Sequence, residues 1–321
     1  MKTYNNLYNE IIALPNLYKA YSEAKAGKKD KTFREFTKNS HNNLWRLHKE
    51  LASQKYTPSP YTIFYVNDYK ERKIMAPHFR DHIVHHALHN YLEQIYDPTF
   101  IHDSFACRKG KGTHKGFARL KRFVNMHKQN DYFMKCDISK YFYSIDQHTL
   151  MAVFKRKIKD QKLLWLIEKI IHSHHEETMP AHVHNSCFDE QKKGLPIGNL
   201  TSQLFANIYL NELDHFAKHK LKIKHYARYV DDFVILSENK ECLQNTWKKI
   251  HEFLEKKLFL KLETRKTQIN KIAFGIDFIG YVAFQKYIRV RTRNYKRFAI
   301  RLKKRIHLYN TERLSFEKLN A

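Results

Sequence analysis

Apolar residues recur at helical spacing over residues 31–53, where Phe33, Phe36, Leu44, Leu47 and Leu51 predict one amphipathic helix. Over residues 61–76 the pattern shortens to two β-rich runs, YTIFYV and ERKIMA, parted by Asn67 and Asp68, which predicts a hairpin. A long helix follows from about Asp81, then a basic loop, CRKGKGTHKG, a helix from Phe117, and a strand, DYFMKCD, whose last residue is Asp137. In GLPIGNLTSQLFANIYLNELDHF, Gly194 to Gly198 break the chain before an amphipathic helix. HYARYV and FVILS then flank Asp231 and Asp232, which places adjacent carboxylates at the tight turn of a β-hairpin. Helices and strands alternate without repeats or linkers, the pattern of a continuous α+β architecture.

Composition narrows the class. The chain has 321 residues, 42% of them hydrophobic and 14% aromatic, enough for a large core. Lys and Arg number 59 against 32 Asp and Glu, and the net charge of +27 fits a surface that meets phosphate polyanions. No stretch approaches the ~20 apolar residues that span a bilayer, and the N-terminus lacks an apolar signal core, so a soluble cytoplasmic protein without a membrane partner is expected. Cys107, Cys136, Cys187 and Cys242 are scattered without a CxxC pair, which points to reduced thiols rather than a zinc ribbon or a disulfide framework.

Asp231 and Asp232 are the most informative positions. Asp is common in hairpin loops, and a lone pair there is more often a solvated turn than a site. Among apolar strands, however, two neighbouring carboxylates repel and lose hydration, a cost that protonation, basic neighbours or a bound cation must offset. Mg²⁺ prefers oxygen ligands and keeps several waters, so one or two carboxylates plus substrate phosphates suit it. Asp137, at the end of its own strand, is placed to supply a third carboxylate, and two-metal phosphoryl transfer is the chemistry implied.

The whole constellation is more specific than the pair. ARYVDDFVILS resembles the Tyr-x-Asp-Asp hairpin of reverse transcriptases, KCDISKYFYSI their first palm strand, and GLPIGNLTSQLFANIYL their template-contacting turn and helix. The matches run in the family's order from about Arg72 to Tyr281. Ser202 and Gln203, following Gly198 at this spacing, look most like the diversity-generating retroelement branch, whereas group II intron and retron enzymes tend to have Gln before that Gly and Ser-Pro after it. The resemblance implies a right-hand polymerase of fingers, palm and short thumb, the antiparallel palm sheet backed by helices. Its expected divisions are residues 1–130 for the N-terminal helices and fingers, 131–284 for the palm, with 151–195 packing back toward the fingers, and 285–321 for a short basic thumb-like segment.

Roles follow residue by residue from the same resemblance. Asp137, Asp231 and Asp232 would hold two Mg²⁺ ions, and Lys266 in ETRKTQI would protonate the departing pyrophosphate. Phe142 matches a steric gate that would clash with a ribose 2′-hydroxyl, with Tyr141 and Tyr143 as alternative walls and an ordinary core Phe as the plain reading. Arg72 would clamp the incoming triphosphate, with Lys70, Lys73 and Arg80 as rivals, although any one Arg in so basic a chain is also a candidate solvated charge. Gly198 would let the backbone approach the nascent base pair. Ile197 stands where many relatives have Gln, and with Gln203 it completes the expected dNTP and template-base pocket. FIGY, residues 278–281, looks like a primer-grip hairpin.

Template RNA, a cDNA or primer strand, dNTPs and a small basic accessory protein are the partners implied, with frequent errors at template adenines. Arg108, Lys109 and Lys111 in the basic loop are expected to face backbone phosphates, since GKGTH lacks P-loop spacing. The histidines at 82, 85, 86 and 89 share one helix face, and a second group lies at 172, 174, 175, 182 and 184, yet neither has a recognisable zinc ligand set. Residues after about Gln285 are too few for a nuclease or maturase extension, which leaves template removal and target cleavage to other proteins. A competing reading from another class is a non-catalytic RNA-binding scaffold. Against it stands the acidic triad, which would oppose phosphate binding without metal. Within the enzymes, a retron or group II intron type is the alternative.

Overall fold

The computed structural model describes residues 2–67, 71–173, 193–311 and 313–316. Four helices open the chain: α1 (Tyr8–Ile12), α2 (Leu14–Ala24), α3 (Lys31–Thr37) and α4 (Ser40–Ala52). The single helix expected over 31–53 is thus two. Asn39 separates them with extended φ, a residue that competes with helix through its own polar side chain, while Asn43 closes the joint by donating to the Phe36 carbonyl. β1 (Thr62–Asn67) and β2 (Glu71–Ala76) form a two-stranded antiparallel hairpin, as the alternating pattern predicts, although Asp68 and Lys70 lie outside the described residues. α5 (Phe79–Tyr96) then crosses against α2 and later against α10 (Leu200–His215).

α6 (Thr113–Asn125) leads into β3 (Tyr132–Cys136), followed by α7 (Tyr141–Ser144), α8 (Gln147–Lys157) and α9 (Gln161–Ile171). After α10 come β4 (Tyr226–Tyr229), β5 (Asp232–Ser237), α11 (Lys240–Leu258) and β6 (Gln268–Lys271). These strands form one antiparallel sheet in the order β4, β5, β3, β6. Side-chain alternation gives that sheet two buried faces. Met134, Cys136, Tyr226, Phe233 and Ile235 join the larger core with α5, α10 and α11. Phe133, Ala227, Val234 and Leu236 join a second core built on Phe117, Leu120 and Phe123 of α6.

A third sheet, β7 (Ile276–Phe278), β8 (Tyr281–Ala283) and β9 (Ile288–Val290), covers the second core, and FIGY forms the tight turn between its first two strands. The chain ends in α12 (Thr292–Asn310), a basic helix with no buried residue. At the other end, the backbone of Tyr4 pairs with Lys157 and Lys159, and Asp160 accepts from the Tyr8 amide at 2.8 Å, so the first helices are fastened to the α8–α9 junction. The architecture is the expected α+β polymerase hand, with an antiparallel sheet backed by helices.

Candidate active site

The β4–β5 hairpin closes in two residues. Tyr229 pairs with Asp232, leaving Val230 and Asp231 as the turn. Val230 takes φ +55°, a left-handed conformation that is strained for a β-branched side chain. Arg228 bonds to its carbonyl. Its guanidinium is fully buried and donates to the Val230 carbonyl at 2.8 Å, to both Asp214 carboxylate oxygens at 2.8 and 2.6 Å, to Asn207 at 3.2 Å and to the Ser104 hydroxyl at 3.1 Å. Tyr226 donates to the same Asp214 carboxylate. Arg228 and Asp214 were not singled out by sequence reasoning, because one reads as a strand residue and the other as the polar side of a helix.

Asp137 arrives from the neighbouring strand. The β3–β5 register runs to Cys136 opposite Phe233, so the next residue on each strand sets Asp137 level with Asp232. The segment Lys261–Glu263 runs alongside, the Ser139 amide donating to the Lys261 carbonyl and the Glu263 amide to the Asp137 carbonyl. It delivers Lys266, in the turn Thr264–Lys266, into a hydrogen-bonded ion pair with Asp137. The two carboxylates of the sequence motif, the third from the other strand and the lysine are therefore brought together.

Electrostatics mark the cluster. Burial, then the charges of Asp137 and Asp232, push the Asp231 carboxyl up to about 7. Burial also raises Asp232, with Lys135 and Lys266 opposing and Asp137 reinforcing. For Lys266, burial works against the ammonium, but the hydrogen bond to Asp137 and the three carboxylate charges outweigh it and raise its pKa. Excess negative charge on hard oxygen donors remains after Lys266 has joined them. Among the described residues no three His, Cys, Asp or Glu side chains close into a ready metal cage. An open carboxylate cluster of this kind fits a cation that takes only one or two protein oxygens and completes its shell with water and substrate phosphate.

Residues 194–198 run between α7 and β2. Gly194 and Leu195 donate to the carbonyls of Ile145 and Phe142, and the Met75 amide of β2 donates to the Ile197 carbonyl. That strip stitches the β1–β2 hairpin to α7 and brings Phe142, Ile197 and Gly198 together. Arg72 is exposed on β2, and its charge bears on Tyr143, whose phenol is raised mainly by burial. Phe142 is half-buried with its ring edge-on to Tyr141, and Gln203 is exposed on the first turn of α10 while Ser202 is buried. At Gly198, φ is +130° and an added Cβ would lie 2.7 Å from the Met75 carbonyl oxygen. The close approach that requires glycine here is to the β2 backbone.

Arg80 is engaged on α4. It pairs with Glu50 and stacks over Tyr56. The basic loop does not present Arg108 to solvent as expected. The Arg108 side chain is 8% exposed and clamps Asp97 and the carbonyls of Ile101 and Ser104, because a loop between helices must satisfy those carbonyls. Lys109 pairs with Glu93 but remains exposed, and Lys111 donates to the His102 carbonyl. Of the histidines on α5, His85 is buried against Thr201 at 2.7 Å, His82 faces Lys28 and His86 faces Glu23. Of the second group, all but His172 lie outside the described residues. No helix among the described residues is long and apolar enough to cross a membrane.

Known proteins resemble this arrangement. The chain is 26% identical to the group II intron-encoded protein LtrA of Lactococcus lactis subsp. cremoris, over 84% of this chain and 54% of that one. It is 25% identical to protein YkfC of Escherichia coli (strain K12), over 77% and 71%. Among solved structures it superposes on apo telomerase from Candida tropicalis with a TM-score of 0.53 at 13% identity, covering 78% of this chain and 53% of that one, a likeness of fold. The chain thus spans about half the length of LtrA and of the telomerase. Residues 67–283 match the family model described as reverse transcriptase (RNA-dependent DNA polymerase), and that span, from the end of β1 through β8, holds every carboxylate of the cluster: the chain belongs to the reverse transcriptase family.

Proposed function

We propose that the protein is an RNA-directed DNA polymerase that copies a template RNA into complementary DNA. The observation that carries this reading is the meeting of Asp137, Asp231 and Asp232 at the ends of paired central strands, with Lys266 beside them. Reverse transcriptases use divalent metal ions, and in this reading the three carboxylates hold two Mg²⁺. Bound there, the ions would activate the primer 3′-hydroxyl and neutralise charge on the leaving pyrophosphate. Lys266, already protonated and raised in pKa, is poised as the proton donor to that leaving group. Arg72 would meet the triphosphate from the fingers, and Phe142 would exclude a 2′-hydroxyl.

The branch proposed is the diversity-generating one, on the buried Ser202 and exposed Gln203 that follow Gly198, and with it a small basic accessory protein. Ile197, apolar and partly exposed, would make no polar contact near the incoming nucleotide and so lower fidelity. A group II intron type is the second reading, favoured by the similarity to LtrA.

Extension of a DNA primer on an RNA template, with dNTPs and Mg²⁺ and with co-purifying proteins retained, tests the activity. Full-length products are expected. Their absence, with RNA binding intact, would turn the reading to a scaffold. Sequencing the products decides the branch: errors concentrated opposite adenine support the diversity-generating assignment, and an even low rate supports the group II type.

A further inference from the structure

The residues assigned so far would meet substrate or metal. Arg228 would meet neither, yet it is the largest fully buried side chain among the described residues, and all five of its guanidinium N–H groups are engaged. Three of its partners' elements are separate in sequence: Asp214 and Asn207 on α10, Ser104 on the loop after α5, and Val230 in the turn itself. The last is the unusual one. A β-branched residue with φ +55° accepts this hydrogen bond at its own carbonyl, one residue before Asp231.

We infer that Arg228 is a positioning residue for the polymerase reaction, fixing the turn in the strained conformation that aims Asp231 and Asp232 at Asp137. The inference rests on the polymerase reading for what the aim accomplishes. Its physical basis is separate. Without the bond to its carbonyl, Val230 relaxes toward negative φ, the turn re-forms, and the carboxylate carried by the next residue swings with it. Asp214 alone does not explain the arginine, since a lysine would neutralise that carboxylate equally well. Only a planar fork reaches Asp214, Asn207, Ser104 and the Val230 carbonyl together. Because the first turn of α10 carries Ser202 and Gln203, the same fork ties the β4–β5 turn to that helix.

The test uses the full chain with Arg228→Lys, which keeps the charge beside Asp214 and loses the fork. Should that variant not fold, Arg228→Met/Asp214→Asn carries the test, since Asn keeps an acceptor for Tyr226 and no charge is left buried alone. Two readouts are taken: amide hydrogen exchange across residues 226–237 without any metal, and single-nucleotide addition resolved into kcat and KM for the dNTP. Faster exchange confined to the turn is expected, with kcat down about tenfold to a hundredfold and KM nearly unchanged, the mark of misaligned reacting groups. Adding Val230→Gly to Arg228→Lys should recover much of the kcat, because glycine adopts positive φ without strain. Unchanged exchange and kcat would overturn the inference. So would faster exchange spread evenly over the whole sheet, with no rescue by glycine, which marks a purely structural pair. If the wild-type protein extends no primer, the polymerase reading falls, while the exchange comparison still decides whether Arg228 holds the turn.

Discussion

Two β-hairpins carry residues assigned to the candidate site and are built in opposite ways. The β4–β5 hairpin lies between two cores, with Tyr226, Ala227, Phe233 and Val234 all at 0% exposure, and a buried ion pair beneath its turn. The β1–β2 hairpin stands alone as a two-stranded sheet, every residue of β1 exposed, including Phe64 and Tyr65. Both are short antiparallel ribbons, so strand propensity does not separate them. Burial does. The palm hairpin can hold charged groups at fixed positions because its surroundings leave it no alternative, whereas an isolated two-stranded hairpin is marginal in water and gains order from what it contacts. Among the described residues, the backbone tie between this hairpin and the LPIG strip is the Met75 to Ile197 bond, which anchors the base of the exposed ribbon.

The contrast breaks most visibly under truncation. Phe233→Ala, which opens a void in the larger core, should cost about 3–5 kcal/mol in chemical denaturation, and Tyr65→Ala less than about 0.5 kcal/mol. Comparable losses at the two sites would mean that the fingers hairpin is packed as firmly as the palm. Next in size is Gly198→Ala. Its Cβ meets the Met75 carbonyl in a backbone region that side chains avoid, so a loss of about 1–3 kcal/mol is expected, with protease sensitivity increasing around residues 62–76. Wild-type stability in this variant would show the anchor to be loose.

Arg72→Ala sharpens the comparison from the functional side. An exposed residue on the fingers can be removed without unfolding, and KM for dNTP should rise about tenfold with the melting temperature unchanged. An unaltered KM would place the triphosphate elsewhere. A smaller effect concerns the joint between α5 and α10, where burial holds His85 neutral and lowers its pKa to about 3. In the unfolded chain the same histidine titrates near 6.5, so the unfolded state binds more protons between these values. Stability is therefore complete above about pH 6.5 and falls as the pH drops toward 3. Thermal melts across that range should show a shallower acid loss in His85→Gln than in wild type, and identical slopes would contradict the assignment.

Much of this could be read from the residues, and the remainder has physical reasons. The YVDD turn was legible because two apolar β-rich runs around paired carboxylates have few other resting places, and Asp137 was legible because it ends a strand of the same kind. Gly198 was recognised as a residue needing no side chain, but what fills the space is the carbonyl of Met75, a contact between segments over 120 positions apart that spacing alone does not specify. Arg108 and Arg80 look in sequence like any other basic residues of a strongly basic chain. Only the fold turns them onto Asp97 and Glu50. Arg228 was hidden for the converse reason: a charged residue two positions before the YVDD turn reads as an ordinary strand residue until Asp214 is seen to be buried with it.

The most direct test compares the wild-type protein with Asp231→Asn/Asp232→Asn in extension of a labelled primer on RNA, alongside RNA affinity for both. Asparagine keeps the size of each side chain and removes the charge that a divalent cation requires. The account predicts wild-type extension, a loss on the order of a thousandfold in the double variant, and RNA affinity that is unchanged or slightly stronger. Equal extension by the two proteins would show that these carboxylates are not the catalytic centre and would contradict the account.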